Sequence, residues 1–335
     1  MSAPSYEPVL ILHGGAGALR KLGGGSETRY REAMRAACAH GAAFLKEGAG
    51  ALAAAVEATR YMEDLGEFNA GLGSCLTMAG NIEMDAAVMY GADRGFGAVA
   101  GVSGVANPVL VARLVMERTR HCLLGAEGAA EFARDQGMAF RDDFPSESRV
   151  EDWRRKLAAI EASGGLADEG LTALGGVLGG ASTEPAPAEE ASDTVGACAL
   201  DAEGHLASAV STGGLWLKQS GRIGDSPLPG AGLWALDGVG AAVATGTGET
   251  ILRMLLCKEV VDRMEPGGAE SASRLGIELL EERFGTGMAG VIGIDAAGNT
   301  GFAFNTGGMG RALWRSPMDE PAVAVWPGEA WDRSR

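Results

Sequence analysis

VLGGASTEPAPAEEASD (residues 177–193) runs straight into TVGACALD (194–201), and the junction between them decides how the chain is read. The first stretch is rich in Ala, Pro, Glu and Ser, has little to bury, and reads as a mobile linker. The second reads as a strand. It opens on Thr194 with no turn residue after Asp193. Taken alone, this is an ordinary loop-to-strand junction. Chemistry offers a second reading. A threonine hydroxyl is a weak nucleophile that needs a base, and a cut between Asp193 and Thr194 would free an α-amine on the same residue to serve as one. Such an amine titrates near about 8, so much of it is neutral at physiological pH. The hydroxyl can make the cut itself by attacking the preceding carbonyl. A mobile linker suits that scheme, because it must afterwards leave the site.

The residues after Thr194 supply the rest of such a site. STGG (211–214) offers a second hydroxyl, Thr212, at the end of the next strand. GRIGDSP (221–227) sets Arg222 and Asp225 three apart in a glycine-rich loop. An arginine forks onto a carboxylate and an aspartate accepts from an ammonium, so the two together could hold an amino acid's α-carboxylate and α-amine. ATGTGET (244–250) precedes a helix, where the Thr245 hydroxyl and the Gly246 N–H could receive an oxyanion. Singly, each has a plainer reading: a surface ion pair for Arg222 and Asp225, a tight turn for TGTG.

Outward from the junction, the pattern mixes strands and helices in both halves. PVLILHGG reads as a buried strand entering a glycine turn, 27–47 and 50–62 as helices, 81–90 and 95–105 as strands. Asn107-Pro108 reads as a helix N-cap followed by proline at the first helical position. Helices are expected near 126–136, 150–162, 249–264 and 268–284. After TVGACALD comes a strand in HLASAVSTGG, and two strands near 288–295 and 299–305 close the chain. This is an α+β layered arrangement rather than strict βαβ alternation.

Composition narrows the function. The 335 residues carry a formal net charge of −16, which disfavours nucleic acid. No run of 18 apolar residues and no basic leader occur, so neither a membrane span nor a signal peptide is expected, and the reading is cytoplasmic. Five unpaired-looking cysteines and four scattered histidines give a zinc site or disulfide framework little to work with. Glycine, at 53 residues, is about twice as frequent as usual and clusters beside Thr, Asp and Asn. His13 reads as a structural hydrogen-bonder, Asp85 as buried and structural, and Cys198 as core.

The motifs form a set. TVGACALD, STGG, GRIGDSPLPGAG (221–232) and TGTGE resemble, in order and spacing, the plant-type L-asparaginase/isoaspartyl peptidase family of N-terminal nucleophile hydrolases. So do HGGAG (13–17), FNAGLGS (68–74), EMDAAVM (83–89) and FNTGGMGR (304–311), with 120–190 the weakest part. The resemblance implies a four-layer αββα sandwich, cut into an α subunit (1–193) and a β subunit (194–335) that share one fold and assemble as an (αβ)2 heterotetramer. It implies Thr194 as nucleophile, Thr212 assisting, and Thr245 and Gly246 as the oxyanion hole. Arg222 and Asp225 would hold the substrate, L-asparagine or a β-aspartyl dipeptide, with Ile223, Gly224, Thr247 and Gly248 lining the pocket. Asn69 would orient the cleavage site. No cofactor is needed for catalysis, but a structural sodium ion on the backbone carbonyls of Glu63, Leu65, Phe68, Ala70 and Leu72 is implied. Two features depart from the family. Asp193 stands where many isoaspartyl peptidases have glycine, as in glycosylasparaginases and threonine aspartases, and GGLWLK (213–218) looks somewhat like a threonine aspartase. Asp225, however, is retained, which favours a small substrate with a free α-amine. Glycosylasparaginase, a threonine-aspartase-like protease and a non-processing binding protein are the alternatives.

Overall fold

The computed structural model describes residues 6–17, 24–162 and 194–332, so the linker and Asp193 lie outside the described residues. The fold is α+β. The first part holds β1 (Val9–Gly17), α1 (Gly24–Lys46), α2 (Ala51–Leu65), β2 (Met84–Tyr90), β3 (Gly95–Val102), α3 (Pro108–Arg118), β4 (Leu123–Gly125), α4 (Ala126–Asp135) and α5 (Glu147–Ala162). From Thr194 onward come β5 (Val195–Leu200), β6 (Leu206–Thr212), β7 (Leu233–Leu236) and β8 (Gly240–Gly246). Next are three helices, α6 (Gly248–Met254), α7 (Leu256–Asp262) and α8 (Met264–Phe284), then β9 (Ala289–Asp295), β10 (Thr300–Phe304), β11 (Gly308–Arg315) and β12 (Ala322–Ala324).

Eight strands form one sheet in the order β12-β11-β1-β5-β6-β2-β3-β4, and four form a second in the order β10-β9-β8-β7. Period-two alternation divides the side chains of the large sheet between two cores. Leu10, Leu12, Val88, Val195 and Ala197 pack against Met34, Ala55, Met62 and Val109 of α1, α2 and α3. Val9, Ile11, Met89, Cys198 and Val210 face Leu233, Val243, Ile292 and Ile294 of the small sheet. The other face of that sheet, through Ala242, Ala244 and Val291, packs on Leu256, Val260 and Leu280. Cys198 is core, as expected.

Alternating polarity cannot set the register of β5, because both of its faces are buried. A close approach sets it instead. His13 pairs with Gly196, where a Cβ would stand 2.9 Å from His13 Nε2. Any slip would drive a side chain into the imidazole.

The structure corrects several sequence expectations. The chain does not turn at Gly14-Gly15; β1 runs on to Gly17 through an irregularity between His13 and Ala16. The helix expected over 249–264 is broken at Leu255, whose φ is +51°, and α8 is kinked at Glu265 and Gly268. The sequence pattern does not reveal β7, β8, β11 or β12. All seven residues of β8 are buried, so it carries no polar alternation to read. The strand at 300–304 does not close the chain; it is followed by β11, which pairs with β1, and by β12. Asn107 does not cap α3 with its side chain; its amide donates to Asp64, and Glu63 Oε1 accepts the Val109 N–H at 3.0 Å instead.

Candidate active site

Antiparallel pairing places Val195 opposite Ser211, so Thr194, one residue before β5, falls beside Thr212 at the end of β6. The Thr194 hydroxyl donates to Thr212 Oγ1 at 3.0 Å, and both side chains are buried. Thr212 Oγ1 also accepts the Gly214 N–H at 3.0 Å. Asn69 fixes the turn that carries this N–H. Its Nδ2 donates to Gly214 O at 2.6 Å, its Oδ1 accepts the Cys75 N–H at 2.8 Å, and its carbonyl accepts the Gly213 N–H at 2.9 Å.

The second group of residues meets at the end of β8. Gly232 donates to Asp225 O at 3.1 Å, and Ala244 donates to Gly232 O at 2.9 Å, which ties the 221–232 loop to the strand carrying Thr245. Gly246 has φ +140°, and a Cβ there would lie 2.2 Å from Met288 O, so only glycine fits. A Cβ on Gly248 would lie 2.8 Å from both Arg222 Nη2 and Asp225 Oδ1, which shows how closely these three residues meet. Gly224 is buried, Ile223 is exposed, and Thr247 opens α6 with its N–H donated to Met288 O at 2.7 Å.

Arg222 and Asp225 do not form the surface ion pair that the sequence also allowed. The Arg222 fork is committed to Glu249, Nε to Oε1 at 2.9 Å and Nη2 to Oε2 at 2.8 Å. Burial works against the guanidinium charge, but the Glu249 hydrogen bonds outweigh it and hold the pKa above its ordinary value. Asp225 is buried, and its Oδ2 has no hydrogen-bond partner among the described residues. Burial pushes its pKa up to about 7 against the pull of Arg222. His13 is buried beside Gly196, and neither ring nitrogen makes a well-formed hydrogen bond, contrary to the sequence expectation. Burial lowers it to about 3 despite the nearby Thr194 backbone, so it is neutral and a poor base.

The family described as Asparaginase matches residues 6–322. The chain belongs to the asparaginase family. It is 42% identical over 321 residues to a plant-type L-asparaginase of Thermococcus kodakarensis, covering 95% of this chain and 99% of that protein. An isoaspartyl peptidase of Salmonella typhimurium is 40% identical over 325 residues, 95% of this chain and 98% of that one. An isoaspartyl peptidase/L-asparaginase of Xenopus laevis is 37% identical over 329 residues, 96% of each.

For an asparaginase-family chain, two well-placed charges escape sequence reasoning. Glu249 lies inside the ATGTGET motif but carries no role on the sequence alone, although an acid one residue past Gly248 could have been matched with Arg222. Lys218 lies in GGLWLK and is fully buried, with Nζ donating to Glu83 O at 2.6 Å. Asp85 is buried, as expected. The loop after α2 contains a single 3-10 turn, Gly71–Gly73. A Cβ on Gly71 would lie 2.5 Å from Glu63 O, and one on Gly73 would lie 2.0 Å from Phe68 O. Each of these glycines therefore lets a backbone carbonyl approach closer than a side chain would allow. The Glu63 side chain is fully buried and pushed up to about 8 by burial. A cleft of about 580 Å³ is lined by Leu65, Leu72, Tyr30 and Arg149 among others, but by none of the residues around Thr194. Among the described residues no helix is long and apolar enough to cross a membrane.

Proposed function

We propose that this chain cuts its own backbone before Thr194 and then hydrolyses L-asparagine and β-aspartyl dipeptides through an aspartyl ester on that residue. The observation that carries this reading is the buried Thr194–Thr212 hydroxyl pair at the start of β5, on a chain of this family. In maturation the Thr194 oxygen attacks the carbonyl carbon of Asp193, the amide nitrogen leaves as the Thr194 α-amine, and water hydrolyses the resulting ester. In turnover the α-amine takes the hydroxyl proton as Oγ attacks the substrate's side-chain carbonyl. His13, neutral and with a pKa of about 3, does not compete as base. Thr212 holds the hydroxyl, and Thr245 Oγ with the Gly246 N–H receives the oxyanion. The proton passes to the departing ammonia or amino acid, and water then releases aspartate.

Arg222 faces the substrate α-carboxylate and Asp225 the α-ammonium, with Ile223, Gly224, Thr247 and Gly248 around them. Because Glu249 already occupies two guanidinium nitrogens, the arginine is an oriented charge rather than an open fork. Arg222→Lys, which cannot keep the two-point pair, and Glu249→Ala, which releases the arginine, are each expected to lower kcat/KM by at least about tenfold. Wild-type kinetics in both would make the pair a bystander.

The three cores between helices, large sheet, small sheet and helices support a four-layer αββα sandwich, built jointly by an α subunit (1–193) and a β subunit (194–335) that assemble as (αβ)2. A sodium ion held by the carbonyls of Glu63, Leu65, Phe68, Ala70 and Leu72 would stiffen the loop that carries Asn69 and take no part in the chemistry. Assay of L-asparagine, a β-aspartyl dipeptide and glycosylasparagine side by side tests the substrate class. The first two should be turned over and the third poorly, whereas a preference for glycosylasparagine would move the assignment to a glycosylasparaginase.

A further inference from the structure

Thr212 sits opposite Asp85 in the β2–β6 pairing, so the two side chains share one face of the large sheet. Asp85 is fully buried; Oδ1 accepts the Gly101 N–H at 2.8 Å, and Oδ2 has no hydrogen-bond partner among the described residues. A carboxylate in that position needs a counter-charge. The strongest electrostatic support for it comes from Lys218, whose ammonium is buried too and whose own main support is Asp85. Lys218 is placed by its backbone: its N–H donates to Leu215 O, its carbonyl accepts from Met78, and Leu217 adopts φ +57° to turn it inward. There Nζ donates to Glu83 O, two residues before Asp85, and lies where a Cβ on Gly214 would be 2.8 Å away. Gly214 is the residue whose N–H fixes Thr212 Oγ1.

We propose that Lys218 and Asp85 are positioning residues: the buried ammonium braces the Gly213–Gly214 turn against β2, with Asp85 as its counter-charge, so that Thr212 Oγ1 stays directed at the Thr194 hydroxyl. Asp85 also draws on Arg222 and the Gly224 N–H, but the pair is assigned no contact with the reacting atoms. It acts through Gly214 and Thr212, and the proposal rests on the reading of Thr194 as nucleophile. A lysine of this kind is hard to justify by stability alone, because burying two charges that are not in direct contact costs more than apolar side chains of the same volume would.

The test uses the full-length chain carrying Lys218→Met, Asp85→Asn, or both. Self-cleavage is followed on denaturing gels, and turnover of a β-aspartyl dipeptide is normalised to the matured fraction. Melting temperature reports folding. The expected result for each single variant is slower self-cleavage and a kcat at least about tenfold lower, with KM within about twofold of wild type. The double variant should be no worse than the poorer single one, because both changes remove the same brace. A normal kcat per matured site, a loss confined to KM, or single effects that simply multiply would each overturn the proposal. If Lys218→Met does not fold, Asp85→Asn decides alone, a normal kcat rejecting the brace. Failure of wild-type protein to cleave at Thr194 would instead reject the nucleophile reading, and the two failures are therefore distinguishable.

Discussion

Thr194→Ala is expected to leave one 335-residue chain without measurable hydrolysis, whereas the wild-type chain should separate on a denaturing gel into residues 1–193 and 194–335. One oxygen atom carries this difference. Alanine keeps the backbone and the strand, and removes the γ-methyl together with the hydroxyl that donates to Thr212 at 3.0 Å. Neither His13 nor Cys198 can take over: His13 is neutral with a depressed pKa, and Cys198 is held well above its ordinary value by burial in the inter-sheet core. Loss of a nucleophile from a unit of this kind costs on the order of 10⁴-fold or more. Thr194→Ser, which retains the oxygen, should still cut. N-terminal sequencing of the smaller fragment provides the check. A start other than Thr194, or cleavage in the alanine variant, would reject the assignment.

Asp225→Ala should lower kcat/KM on free-amine substrates by at least about thirtyfold while maturation proceeds, since removing one partner of a buried charge pair costs about 2–5 kcal/mol. The same residue predicts that N-acetylation of a β-aspartyl dipeptide abolishes most turnover, because the acetyl group removes the charge that Asp225 faces. Equal rates on the two forms would point to a protease tolerant of blocked substrates. Without substrate, an ionised Asp225 is a liability. Its pKa of about 7 in the fold stands above the ordinary 3.8, so the folded chain holds the extra proton between those values and stability falls as pH rises through that window. The shift amounts to roughly 4 kcal/mol above it, as about three units at 1.36 kcal/mol each. Asp225→Asn should therefore melt higher than wild type at pH 8, lose that advantage below about pH 4, and be inactive at both.

How far the sequence could be read depended on where its signals were local. The Thr194 junction, STGG, GRIGDSP and TGTG each announce themselves within a few residues, and the structure brings Thr194 beside Thr212 and Gly248 beside Arg222 and Asp225. Helices α1 and α2 were legible from their apolar spacing. β8 was not: it is buried on both faces, and GAAVATG lacks the run of large aliphatic residues that marks β1 as a buried strand. Glu249 and Lys218 escape notice for a related reason. Their importance lies in what they meet, a guanidinium 27 residues away and a carbonyl 135 residues away, and single-sequence spacing carries neither contact.

The strand order has a consequence for how the protein is made. β1 lies between β11 and β5, so a strand from before Thr194 is clasped on both sides by strands from after it. While the peptide bond is intact, these partners find one another within a single molecule, at a rate independent of dilution. If it is cut, as proposed, they would remain clasped, but a melted enzyme would have to reassemble from two separate polypeptides. Its recovery then depends on concentration and competes with aggregation of the exposed strands. The precursor should therefore regain structure readily after denaturation and the matured form poorly, more so the more dilute it is, which would make self-cleavage a one-way step in the life of the molecule.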